Sequence, residues 1–400
     1  MKLIPFSARY LRKSESLPFG LRDAAGRLLL AGGQVIGDDL MHALEEQPLF
    51  ADESESAVWH RRLQTTMDTM LRQGASLGAV AAARPEDSAA RVPVSAPLPL
   101  GEQWATLAMH LDAVLRLVKP GSAWLGRFEP VHGQARQLAE KRPDASLYHL
   151  IYSAGHSTEK YSTHHALLTM LICEEVASLL QWTPGQRDSI GRAALLMNLA
   201  MTRLQDLLAQ SDREPTPEMR RQIAAHAEEG ARQLGAAGLD DALCIEAVRL
   251  HHDASQECLP FEELTPARRL ARLLRRVDIF GAKLSRRQRR VALSPMQAAR
   301  QACLGADGQP DEIGAALLKT VGLYPPGSFV ELVSGEVAIV IARGRRANLP
   351  LVASLVSPSG TPLGEPLLRD TLSPRHAVRA AVPPSAVRVR PPHERLLAMK

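Results

Sequence analysis

Aromatic residues are scarce in this 400-residue chain: Trp, Tyr and Phe together make up 4% of it. Leu, Ala and Val must therefore fill the core. Cysteine is also sparse. Cys173, Cys244, Cys258 and Cys303 are scattered without CxxC spacing, which excludes a zinc ribbon or a secreted disulfide framework. Cys173 and Cys244 fall inside apolar helical patterns and are expected as buried thiols. No apolar run approaches the roughly eighteen residues of a membrane span, and the first ten residues lack the apolar stretch of a signal peptide. The compartment that fits is the cytoplasm. Strong charge of one sign is missing too. A net charge of +5 is too small an excess to argue nucleic-acid binding by itself. The sequence holds no Walker loop, no GxGxxG after a strand, no GxSxG elbow and no HExxH.

Helical signals dominate what is present. Residues 17–50 read as a small β-rich module, in which Leu17, Phe19 and Leu21 alternate, Asp23–Gly26 turns, and Leu28–Leu30 resumes. A short helix is expected near residues 38–46, and a Pro-, Ala- and Ser-rich linker over 84–101. Leu107, Leu111, Val114, Leu115 and Val118 then recur at helical spacing. Thr183-Pro184-Gly185-Gln186 is a capping box with Pro at the first helical position, and Thr216-Pro217-Glu218 starts the helix that carries His226. Helical pattern fades near residue 305. Phe329–Val333, Ser334-Gly335 and Val337–Ile341 then read as a hairpin, followed by a Pro- and Gly-rich stretch. This gives four expected segments: a β-rich module (1–55), a helical and linker region (56–145), a helical domain (146–305) and a C-terminal β-hairpin extension (306–400).

Within the helical domain, His165, His226, His251, His252 and Asp278 fall at regular intervals around the segment Arg192–Met201. His165 precedes Asn198 by 33 residues, Asn198 precedes His226 by 28, and His252 precedes Asp278 by 26. A lone histidine on an apolar helix face is usually a hydrogen-bonded core residue, and these five together read equally as a polar core network. Their order and spacing resemble the HD-GYP family of metal-dependent phosphohydrolases. The tail Val321–Ser328 with Ser334-Gly335-Glu336 resembles the segment that often follows such domains. The fold the resemblance implies is mainly α: an HD-type helical bundle with a small β-rich N-terminal module and an irregular β C-terminal appendage.

The resemblance also implies the chemistry. In that family, inward His and Asp side chains hold two or three iron or manganese ions, and a metal-bound hydroxide attacks cyclic di-GMP. Here the family's first histidine falls on His165, and its later ligands on His226, His251, His252 and Asp278. Its His-Asp dyad falls on Met197 and Asn198, its Gly-Lys on Ala200-Met201, and its third-metal glutamate on Tyr161. Only Pro260 remains of the Gly-Tyr-Pro signature. A thioether is a poor ligand for hard ions, and neutral Asn brings no charge to a bridging position. Hydrolysis by the family mechanism is therefore not expected. The cofactor left open is a single iron or manganese ion on the residual ligands.

A basic segment, Arg268–Arg290, follows. Leu270, Leu273, Leu274 and Val277 occupy one helical side, so the arginines are expected on a solvated face. Arg275, Arg276, Lys283, Arg286 and Arg287 are the candidate anion or ligand contacts. With few aromatics interleaved and no recognition helix or zinc pattern, nucleic acid is disfavoured as a partner. The expected activity is a catalytically degenerate signalling module that binds a cyclic dinucleotide or a signalling protein. The rivals are a phosphohydrolase with one metal on His165, His226, His251 and Asp278, and a basic nucleic-acid-associated regulator.

Overall fold

The computed structural model describes residues 3–13, 16–32, 34, 36–37, 41, 44, 47–72, 75–81, 83–84, 98–255, 259–304 and 308–399. The chain divides into two compact units, Met1–Pro97 and Leu98–Lys400. The expected linker lies almost wholly outside the described residues, as do most of the helix expected near 38–46 and Cys258.

In the first unit a four-stranded antiparallel sheet has the order β1-β4-β2-β3, with β1 Leu3–Phe6, β2 Leu21–Arg22, β3 Leu28–Leu30 and β4 Leu49–Asp52. The turn at Asp23–Gly26 is present, with Gly26 at φ 82°, a left-handed conformation glycine adopts without a Cβ penalty. Leu17, Phe19 and Leu21 are all buried, but only Leu21 belongs to a strand. The alternation marked burial rather than a continuous ladder. Strand β1 carried no clear pattern of its own: it pairs with β4, and only Phe6 of its four residues is buried. The helix Glu53–Arg72 follows, and its Trp59 sits in an aromatic cluster with Phe6, Tyr10 and Phe19.

The second unit is mainly helical. Its centre is the helix Tyr161–Leu179, which is buried almost all round and packs against the helices Leu100–Leu115, Pro143–His156, Pro184–Leu196, Thr202–Gln210, Pro266–Leu284 and Glu312–Val321. Polar caps fix where several of its neighbours begin. Thr183 and Gln186 form the expected capping box, and Thr216, Asp241, Thr265, Ser294 and Asp311 each accept a backbone N–H in the first turn of the next helix. The helical spacing expected from Leu107 to Val118 belongs to a helix that starts at Leu100 and ends at Leu115. Cys173, Cys244 and Cys303 are buried free thiols. No helix among the described residues is long and apolar enough to cross a membrane.

A five-stranded antiparallel sheet closes this unit, with the order β8-β7-β6-β5-β9. The expected hairpin is β5 Phe329–Leu332 and β6 Val337–Ala342, with Phe329 opposite Ile339. Strands β7 Leu351–Val356, β8 Pro362–Asp370 and β9 Val378–Val382 extend it, and register shifts interrupt three of its four pairings. The helices Glu312–Val321 and His393–Leu397 flank the sheet, where a hairpin extension alone was expected. Asp311 caps the first of these over only ten residues, too short for a strong periodic signal. Strand β6 is buried on both faces. Ile339 and Ile341 join the main helical core, while Ala338 and Val340 join a smaller core with Tyr324, Val330 and Val352. A strand covered on both sides reads as the continuous apolar run Val-Ala-Ile-Val-Ile.

Candidate metal-ligating site

Three of the five expected ligands converge. His226 lies in the helix Pro217–Ala236, and His251 and His252 directly follow the helix Ala242–Leu250. One nitrogen from each of these three rings lies within 4.8 Å of the others. His226 and His251 are buried, whereas His252 is exposed. The two buried rings are oriented in the same way. His226 Nδ1 donates to the Ile223 carbonyl and His251 Nδ1 to the Val248 carbonyl, each at 2.6 Å. That fixes the tautomer, because a carbonyl only accepts, and it leaves both Nε2 lone pairs directed into the site. The Nε2 atoms stand 3.3 Å apart. Burial pushes the imidazole of His251 down to about 3, reinforced by His252, and burial likewise lowers that of His226.

The other two expected ligands engage each other. His165 Nε2 donates to Asp278 Oδ1 at 2.7 Å, and His165 Nδ1 is buried without a hydrogen-bond partner. Burial works to raise the Asp278 carboxyl. The hydrogen bond from His165 and the charges of His165, His251 and His252 outweigh it and hold that carboxyl well below the usual range. Tyr161, one turn before His165, stacks on it with ring centres 5.7 Å apart. The Tyr161 hydroxyl accepts from Arg287 Nη2 at 2.7 Å, and the Arg287 guanidinium lies 4.8 Å from the centre of the tyrosine ring.

Met197 and Asn198 take no part in either group. Met197 ends the helix Pro184–Leu196, is fully buried and belongs to the main apolar core. Asn198 leads into the short 3₁₀ turn Leu199–Met201, where its carbonyl accepts from the Thr202 hydroxyl at 3.2 Å.

The basic segment does not form one solvated face. Arg272 and Arg276 are 2% and 3% exposed. Arg276 Nη2 lies 2.9 Å from Asp311 Oδ2, and Arg272 lies 3.6 Å from the same oxygen and donates to the Leu259 carbonyl. The carboxylate that caps the helix Glu312–Val321 turned this part of the expected anion surface inward. Arg275 donates to the backbone carbonyl of His252, and half-buried Lys283 closes the last turn of the helix Pro266–Leu284. Arg286 and Arg287, by contrast, line a cavity of about 470 Å³ with Arg289, Arg290, His156 and Pro384. Within it Arg289 is paired with Glu214, and Arg290 donates to the Ala282 carbonyl.

Two participants were not legible in advance. Asp311 gives no local sign of its arginine partners. Tyr161 enters the sequence pattern only as the replacement of an acidic ligand, although an aromatic residue four positions before a helical histidine is placed to stack on it.

No protein-family model matches the sequence, and no curated protein matches it. The chain is similar to a solved structure described as Bd1817, a HDG"Y"P protein from Bdellovibrio bacteriovorus. The two share 13% sequence identity, and the match covers 79% of this chain and 98% of that one at a TM-score of 0.46.

Proposed function

We propose that this chain is a catalytically degenerate HD-GYP-like signalling module, which binds a cyclic dinucleotide or a signalling partner instead of hydrolysing a phosphodiester. One observation carries the reading. The residue in the dyad position, Met197, is a fully buried member of the apolar core, and the carboxylate that could still serve a metal, Asp278, gives an oxygen to His165. A two-ion centre needs a charged bridging ligand, and this donor set offers neutral Asn198 in that place. The residues therefore do not fit the metal pair that the resemblance implies. They do fit one ion, since His226, His251 and His252 present nitrogen ligands together. An ion held there would act as a Lewis acid.

The anionic-ligand part of the proposal rests on the cavity lined by Arg286, Arg287, Arg289 and Arg290. Its Arg287 wall is continuous, through Tyr161, with His165 and Asp278. Calorimetry of the whole chain with cyclic di-GMP, paired with a phosphodiesterase assay in iron or manganese, tests the reading. Binding without turnover is expected. Turnover of cyclic di-GMP that depends on two ions per chain would sink it.

A further inference from the structure

The arrangement of the three histidines says more about which ion they suit. Both buried rings carry their proton on Nδ1, held by a backbone carbonyl at 2.6 Å, so both Nε2 atoms are acceptors. Two acceptors facing each other at 3.3 Å do not hydrogen-bond; a cation between them turns repulsion into ligation. The spacing of this pair suits two ligands of a tetrahedral site. Metal–nitrogen bonds of about 2.0–2.1 Å at a tetrahedral angle separate ligand nitrogens by about 3.3–3.4 Å. The outer hydrogen bond on each ring is the device that orients metal-bound histidines and raises their basicity. It appears here once within the helix Pro217–Ala236 and once just past the end of the helix Ala242–Leu250. His252 completes the set from the exposed side, its backbone fixed by Arg275.

The donor chemistry separates the candidate ions. Every ligand in the group is an imidazole, and neither a carboxylate nor a thiolate belongs to it among the described residues. Asp278 stands outside the group with its Oδ1 taken by His165, and so balances charge from a distance. Imidazole suits zinc, copper, nickel and iron, but manganese favours oxygen ligands, and manganese and ferrous iron sit at the weak end of the affinity order for divalent ions.

We infer that His226, His251 and His252 form a mononuclear tri-imidazole site for one borderline divalent cation of the zinc class per chain. His252 is its solvent-exposed ligand. This deepens the binding-module reading on which it rests, and it departs from the iron or manganese pair that the family resemblance implies.

The test uses the full chain, stripped with a chelator and then titrated with zinc, cobalt and manganese. Stoichiometry is read by elemental analysis and affinity by competition with a chromophoric chelator. One zinc per chain is expected, with manganese bound at least about 100-fold more weakly. Cobalt is expected to give the intense visible absorption of a four-coordinate site. His226→Ala and His252→Ala should each abolish that absorption. His252 is exposed, so its variant tests the ligand without emptying a core position, and circular dichroism confirms that each variant is folded. Manganese binding as tight as zinc, two ions per chain, or a cobalt spectrum indifferent to both variants would overturn the inference. So would failure to bind any ion. If no ion binds while cyclic di-GMP does, only the metal site falls. Two manganese ions with phosphodiesterase turnover would bring down the binding-module reading as well.

Discussion

Arg287 donates to the Tyr161 hydroxyl at 2.7 Å and rests its guanidinium 4.8 Å from the centre of the same ring. Tyr161 in turn stacks on His165, whose other edge holds Asp278. The ring stacked on His165 thus belongs to a phenol that holds a cation from the chain itself.

If Arg287 also contacts an anionic ligand, Arg287→Ala should weaken cyclic di-GMP binding about tenfold, as expected for one lost charge-assisted contact. Tyr161→Phe removes only the hydroxyl, at a cost of about 1 kcal/mol of stability. It should leave affinity within about twofold, because the guanidinium keeps its charge. Calorimetry and urea unfolding on the two variants measure both effects. Equal affinity loss in both would mean that Tyr161, and not the arginine, meets the ligand.

Introducing a His-Asp dyad by Met197→His with Asn198→Asp should not create a two-ion centre. Met197 is fully buried in the apolar core, so an imidazole and a carboxylate at these positions should cost about 2 kcal/mol or more. Elemental analysis should still give at most one ion per chain. A second ion would show that the pocket has kept its room.

Asp311 is the partner of two buried arginines and also caps the helix Glu312–Val321 by accepting from Gly314 N–H at 2.8 Å. Asp311→Asn keeps a capping oxygen but removes the charge. It should destabilise by about 2–3 kcal/mol, less than for a fully enclosed pair because the carboxylate is partly solvated. Asp311→Ala should lose about 1 kcal/mol more for the cap. Denaturant midpoints of the two variants separate the terms, and equal losses would deny the charge its role.

Acid should destabilise the fold through His149. Burial, with His164 and His393 nearby, pushes its imidazole down to about 4 from an ordinary 6.5. Between those values the unfolded chain takes up a proton that the folded chain refuses. Stability is therefore intact above pH 6.5, falls as the pH drops toward 4, and levels off below it with respect to this group. The loss should be at most about 3 kcal/mol. His149→Gln should flatten the unfolding free energy between pH 7 and 5; an unchanged slope would assign the dependence to other groups.

Local signals carried the sequence reading where they were complete within a few residues. Thr183 and Gln186 announced their helix, and Phe329–Ile341 announced its hairpin. His226, His251 and His252, expected as ligands through the family resemblance, lie close together. What stayed hidden depends on partners far along the chain. Arg276 reads as surface charge until Asp311, 35 residues later, arrives beside it. His165 and Asp278, both expected as ligands, are hydrogen-bonded to each other across 113 residues, and no spacing rule foretells that contact.

Ile339 and Ile341 lie in the same apolar core as the central helix, and Gly327 meets Tyr148 so closely that a Cβ there would stand 2.3 Å from the Tyr148 carbonyl oxygen. Cutting the chain before β5 would therefore strip a wall from the helical bundle instead of releasing an accessory. Any truncation meant to isolate the histidine-bearing helices should keep residues 98–399 together, and the whole unit should melt in a single transition.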